Sequence, residues 1–210
     1  MKILLINGSP HERGCTHTAL AEMEKAIRAE GLDTEILWIG QDAVRGCTGC
    51  GACFKMKKNR CVFDADAVNR VLEKCEEADG FVFGSPVHYA SAGGSITSLM
   101  DRMFYAGSRL MRHKPACAVV SARRAGTTAA IDQLNKYFTI SGMPIAPSQY
   151  WPMVHGNTPE EVMQDEEGLQ IMRTLGRNLV WMVKSFALAR ENGILPPAPE
   201  AEKKRTNFIR

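Results

Sequence analysis

Ile3-Leu4-Leu5-Ile6, followed by Asn7-Gly8-Ser9-Pro10, is the stretch that decides the fold. An unbroken apolar run without polar alternation predicts a parallel strand covered on both faces, and the Asn-Gly-Ser-Pro that ends it predicts a loop. Residues 18–30 then carry Leu20, Met23 and Ile27 at helical spacing, with Gly31 as the stop. This unit of strand, polar glycine loop and helix recurs along the chain. Residues 34–39 read as a second strand. Val68, Val71, Leu72, Cys75 and Ala78 form an apolar helical stripe that leads into a strand over 80–84. Residues 85–94 are a second polar loop, set before a helix that runs to about Arg102. A strand over 116–120, a third loop over 121–128 and a helix over 129–140 repeat the pattern. A short strand within 145–154 and one long helix over 159–189 complete it. The alternation predicts an α/β domain, a parallel sheet of about five strands with helices on both faces.

Composition narrows what such a domain does. The 210 residues suffice for one domain with a sizeable core, assigned to 1–195. Residues 196–210, with Pro196, Pro197 and Pro199 ahead of the charged run from Glu202 to Arg205, cannot continue a helix and read as an arm over the surface or across a partner subunit, or as a disordered end. Twenty-six basic residues nearly balance 23 acidic ones and cluster only in short runs, so no nucleic-acid footprint is expected. The best apolar stretch, 179–189, is short and broken by Lys184, so no membrane span is expected. The opening apolar run ends too early for a signal peptide, which sets the expectation of a cytoplasmic protein. Seven cysteines, an odd count, argue against a disulfide framework and for thiol, metal or redox chemistry.

In an open parallel sheet ligands bind beyond the carboxyl ends of the strands, so the three polar loops converge on one crevice. The first, 7–18, offers the hydroxyls of Ser9, Thr16 and Thr18 and the N–H groups of a helix start. These donors suit a phosphate, and Arg13 adds a positive charge. It has neither a Gly-Lys-Ser/Thr triphosphate loop nor a Gly-x-Gly-x-x-Gly fingerprint, and a turn plus a helix cap accounts for the same residues without a ligand. The second loop, with Pro86, Val87, His88 and Tyr89, could line a flat ring. The third, with Ser121, Arg123, Arg124 and Gly126, brings two guanidinium groups that suit ring carbonyls or a phosphate, or else are merely solvated.

Together these residues carry a resemblance. Gly8-Ser9-Pro10 with Gly14 and Thr16, then Gly84-Ser85-Pro86-Val87-His88-Tyr89, then Asp101-Arg102 resemble the NADPH-dependent FMN reductase group of the flavodoxin-like superfamily in order and spacing. The resemblance implies a five-stranded flavodoxin-like sheet, FMN as cofactor and NAD(P)H as co-substrate. It implies that Ser9, Thr16 and Thr18 hold the phosphate, that Pro86 to Tyr89 flank the ring and that Ser121 to Gly126, Arg123 included, close the site. Cys15 stands where relatives often carry asparagine, and His88 where tyrosine is common. A homodimer or homotetramer with FMN near the interface is also implied.

Cys47, Cys50, Cys53 and Cys61 form a C-x2-C-x2-C-x7-C series in a glycine-rich loop without periodicity. Such spacing lets a chain wrap a [4Fe-4S] cluster, and it resembles that of the iron-sulfur flavoproteins, a branch of the same superfamily. The same thiols could hold tetrahedral zinc, remain bare or pair in a reversible disulfide. Cys75 and Cys117 lie in apolar contexts and read as core.

The expectation is an oxidoreductase that passes hydride from NAD(P)H through FMN to a small acceptor such as a flavin or quinone. No catalytic side chain is assigned, because the flavin carries the chemistry. Tyr89, Phe104, Tyr105 and Trp151 could floor or cover the acceptor site, or serve as core or interface. The alternative is an iron-sulfur flavoprotein that carries electrons between protein partners. A redox- or ligand-responsive binding protein is a third reading.

Overall fold

The computed structural model describes residues 1–198, 200–202, 204, 206 and 208. Strands β1 (Lys2–Asn7), β2 (Asp33–Trp38), β3 (Gly80–His88), β5 (Ala116–Ala122) and β6 (Met153–His155) form a parallel sheet in the order β2-β1-β3-β5-β6. The two-residue β4 (Ser91–Ala92) pairs antiparallel with the end of β3. Seven helices fill the connections among the described residues: α1 (Cys15–Ala29), α2 (Ala52–Met56), α3 (Ala67–Glu77), α4 (Gly94–Met111), α5 (Thr127–Ile140), α6 (Pro159–Val162) and α7 (Glu166–Glu191).

The unbroken apolar strands are explained by burial on two faces. Leu4, Ile6, Phe81, Phe83, Ala118 and Val120 enter one core with α3, α4 and α5. Their neighbours Ile3, Leu5, Val82, Cys117 and Val119 enter another with α1 and α7. Phe83 is fully buried, its ring 5.2 Å from that of Phe138 and 6.0 Å from that of Phe104. Burial of one such side chain stabilises the fold by roughly 1.5–3 kcal/mol. Cys75 and Cys117 are core residues, as expected, and burial pushes both thiols up, Cys75 to about 12.

Several boundaries differ from the sequence reading. Helix α1 starts three residues earlier than Thr18, at Cys15, because Gly14 is its cap. Helix α4 continues past Arg102 to Met111, across a break at Gly107. The long helix expected over 159–189 is two: Thr158 caps α6, and Asp165 stops the run and caps α7 by accepting the Gly168 N–H at 2.9 Å. The strand expected within 145–154 pairs only at Ile145 and over Met153–His155, and the residues between them belong to no strand. The cysteine loop contains one helical turn, α2. Residues 194–198 are exposed and irregular, and Pro199, Lys203 and Arg205 of the expected arm lie outside the described residues. No helix among the described residues is long and apolar enough to cross a membrane.

Candidate active site and candidate metal centre

Strand order reverses between β1 and β3, so the connections that leave their carboxyl ends run to helices on opposite faces of the sheet and open a crevice between them, the usual ligand position of an open parallel sheet. Helices α1, α4 and α5 all begin at this edge. Each has glycine as its N-cap (Gly14, Gly93 and Gly126), with no side-chain cap and no acidic residue in the first turn. Free N–H groups and three aligned helix dipoles therefore give the edge a positive potential, suited to an anion.

Close packing brings the loops together. Gly8 N–H donates to Gly84 O at 2.9 Å, and a Cβ on Gly8 would stand 2.6 Å from Ile96 Cβ, so only glycine fits. Gly126 adopts φ +90°, and a Cβ there would lie 2.9 Å from Val87, which fixes the third loop against the second. Across the crevice, Thr16 Oγ1 and Ser121 Oγ are 2.8 Å apart and both residues are buried.

The other expected residues divide. Ser9 is buried, but its hydroxyl accepts the His11 N–H at 3.1 Å and shapes the loop. Thr18 donates back to Gly14 O at 3.3 Å. Cys15 Sγ donates to Gly156 O at 3.7 Å, and burial pushes its thiol up. Arg13 and Arg123 are exposed at the rim. Pro86 and Val87 are half-buried, and His88 and Tyr89 form the exposed β3–β4 tip. Tyr89 holds φ 57°, a conformation rare for a bulky residue. Of the expected aromatic floor, Phe104 is core, whereas Tyr105 and Trp151 are exposed.

Sequence reasoning missed three supports of this crevice. Buried Asn7 donates to Glu12 O at 2.9 Å and accepts the Ser9 N–H at 3.1 Å. Trp38 Nε1 donates to Ser9 O at 2.8 Å, and Ser85 Oγ accepts the Gly93 N–H at 2.9 Å. An asparagine directly before Gly8 was the one local signal, since Asn favours such side-chain turns.

The cysteine loop makes a second feature. Cys47, Cys50, Cys53 and Cys61 all line one cavity of about 150 Å³, walled by Phe54, Phe63, Arg102 and Tyr105. All four are free thiols that ring a space; among the described residues no three potential ligands converge as a single ion requires. The Ala52 N–H and the Thr48 hydroxyl hold the Cys50 thiol below its usual range. Burial pushes Cys53 up, its Sγ donating to Tyr105 O at 3.8 Å. Cys61 is clamped through its backbone by Asn69, which accepts its N–H at 2.8 Å and donates to its carbonyl at 3.0 Å.

Comparison with known proteins follows the same division. The model of the NADPH-dependent FMN reductase family matches residues 1–158. The chain belongs to this family. It is therefore a flavin oxidoreductase with FMN as its cofactor, and the buried hydroxyl pair and uncapped helix starts fit a phosphate-bearing flavin. An iron-sulfur flavoprotein of Methanocaldococcus jannaschii is 32% identical over 194 residues, which cover 88% of this chain and 98% of the relative. One from Archaeoglobus fulgidus is 30% identical, covering 90% and 92%. Among solved structures, RosB with bound 8-demethyl-8-formylriboflavin-5'-phosphate superposes with a TM-score of 0.68 at 14% identity, covering 100% of this chain and 92% of RosB, a likeness of fold alone.

Proposed function

We propose that this FMN oxidoreductase is a two-centre electron-transfer protein in which Cys47, Cys50, Cys53 and Cys61 hold a [4Fe-4S] cluster. The observation that carries the reading is that all four cysteines line a single cavity. The donor set fits: four thiols lining one partly open cavity suit a cluster that takes four thiolate ligands. The names of the relatives support the same reading. When bound, FMN supplies one- and two-electron exchange and the cluster one-electron exchange.

The chain's residues then have separable tasks. Thr16, Ser121 and the N–H groups at the start of α1 bind the flavin phosphate, with Ser9, Cys15 and Thr18 shaping the loop. Pro86 and Val87 support the ring, and Gly126 keeps the third loop against Val87. His88 and Tyr89 at the hairpin tip, with Arg13 and Arg123 at the rim, face an open mouth through which donors and acceptors come and go. NAD(P)H as hydride donor is a second reading, favoured by the family description, and it uses the same mouth. The proposed setting is the cytoplasm. Assembly as a homodimer or homotetramer is part of the same reading; the exposed Phe54, Tyr105 and Ile140, which line one groove with Asp101, Ser108 and Ser141, are consistent with it.

Anaerobic purification and reconstitution, followed by iron, sulfide and flavin analysis, tests the assignment. About four irons and four sulfides per chain beside the flavin are expected. Flavin without retained iron leaves a reductase whose cysteine loop is structural or thiol-active. Flavin reduction by NADH or NADPH under the same conditions decides the donor.

A further inference from the structure

Arg102, on α4, is the largest fully buried side chain among the described residues, and none of its hydrogen bonds reaches the flavin crevice. Its guanidinium is fixed on every side. Nη1 donates to the Asp66 carboxylate and, at 3.2 Å, to Arg45 O, and Nη2 donates to Phe63 O at 2.7 Å. Nε donates to Cys61 Sγ at 3.3 Å. Three of these acceptors are oxygens that arginine commonly uses. The fourth is unusual, because a neutral thiol is a weak acceptor and a poor partner for a buried guanidinium, whereas a metal-bound thiolate is a strong one. Asp66 is equally committed. Its other interactions cap α3 at the Val68 N–H, 3.3 Å, and hold the Arg45 N–H at 3.3 Å. The Asp66–Arg102 ion pair is therefore rigid and lies directly behind one of the four thiols.

Resting on the cluster reading above, we propose that Arg102 raises the reduction potential of the four-cysteine centre by donating its Nε–H to the Cys61 sulfur, and that Asp66 limits this effect as the counter-charge. Reduction adds one negative charge to the centre. A donor aimed at a ligand sulfur and a fixed positive charge in a low-dielectric wall both favour the state with more negative charge. Cys50 is exposed and takes the neutral Ala52 N–H and Thr48 hydroxyl, whereas Cys61 takes a charged donor from a buried guanidinium, so the centre is electrostatically asymmetric, with Cys61 as its most strongly stabilised corner. Arg102 touches no reacting flavin atom; it is a positioning and tuning residue.

The test uses the full chain, reconstituted without oxygen, with iron counted and the cluster potential measured by redox titration followed by low-temperature electron paramagnetic resonance. Arg102→Gln should lower the reduced-to-oxidised ratio at a given solution potential about tenfold, which is 59 mV for one electron. Asp66→Asn, which keeps a competent helix cap, should shift the ratio in the opposite direction. Arg102→Lys keeps the charge but not the fork, and should fall between wild type and Arg102→Gln. A purely structural role, acting by loosening the cavity and admitting water, moves Arg102→Gln and Asp66→Asn the same way. Shifts of the same sign, or changes under about twofold in both loaded variants, overturn the proposal. Should Arg102→Gln retain no iron, the Lys and Asn variants decide: an unchanged potential in the first, or no rise in the second, overturns it equally. A wild-type chain that takes up no iron refutes the cluster reading itself and the proposal with it, an outcome separate from a loaded cluster of unmoved potential.

Discussion

Thr16→Val is the sharpest probe of the phosphate site. The substitution keeps the methyl that packs against Gly84, 2.9 Å from where a Cβ on that glycine would stand, and removes only the hydroxyl. Thr16 is buried and its Oγ1 lies 2.8 Å from Ser121 Oγ, so Ser121 loses its one recorded side-chain partner. An orphaned buried hydroxyl costs about 1–3 kcal/mol of stability. A hydrogen bond to a charged phosphate adds about 1.5–3 kcal/mol to FMN binding, so its loss weakens FMN roughly 10- to 100-fold. The two effects separate in Thr16→Val/Ser121→Ala, which removes both partners and should recover much of the stability without restoring affinity. Fluorescence titration with FMN and with riboflavin, which lacks the phosphate, reads the effect directly. FMN affinity should fall toward that of riboflavin, and riboflavin affinity should stay where it is. Equal losses for the two ligands, or an unchanged FMN affinity, refute the phosphate assignment of Thr16.

Three further outcomes follow from the packing and charges. Gly8→Ala forces a Cβ against Ile96 Cβ at 2.6 Å and Gly84 O at 2.8 Å, and should cost about 1–3 kcal/mol. Gly84→Ala meets side chains rather than backbone at closest approach, the Leu20 methyls and Thr16 Cγ2, and should cost less; calorimetry that ranks them in reverse contradicts the account. Asp165→Ala removes both the α7 cap and the 2.7 Å bond to the His155 N–H at the sheet edge, and should lower stability by about 2 kcal/mol in denaturant titration. Glu35 is held below its ordinary value of 4.5 by Lys2, 2.6 Å away, and by Lys74. A depressed carboxyl stabilises above its unfolded value and loses that stabilisation as pH falls through the folded one, so the melting-temperature gap between wild type and Glu35→Gln should close on acidification below about pH 5 and stay constant above it.

The strands β1, β3 and β5 are readable from sequence because both faces are buried: Leu4 and Leu5, or Phe81 and Val82, enter opposite cores, so no polar residue interrupts the run. The edge is less legible for the same reason. β6 pairs on one side only, over three residues, and the segment before it needs no regular pattern. The split between α6 and α7 was in principle visible, since Thr158-Pro159 and Asp165-Glu166-Glu167 are both helix starts, but the apolar periodicity of Leu169 to Val183 masks the boundary. In the crevice, sequence indicates which loops converge and not what each hydroxyl does. Ser9 and Thr16 look alike in a list of donors; only the fold turns one into its own loop and the other toward Ser121.

Arg102 marks where local reading ends and a physical clue remains. The residue that it touches lies 41 positions away, beyond the reach of any spacing rule. Yet Leu99, Met103 and Arg102 share one face of α4, so the pattern sets a cation among residues bound for the core. A buried guanidinium is costly without a compensating anion, and replacing such a pair with apolar side chains is often neutral or stabilising. Stability alone therefore does not explain Arg102. Asp66 accounts for the charge, and the backbone carbonyls of Arg45 and Phe63 are ordinary partners for two donors; the Nε–H on Cys61 is the one interaction aimed at a candidate ligand sulfur. That bond ties the cation to the cysteine centre, and opposite shifts of potential on removing Arg102 or Asp66 are its signature.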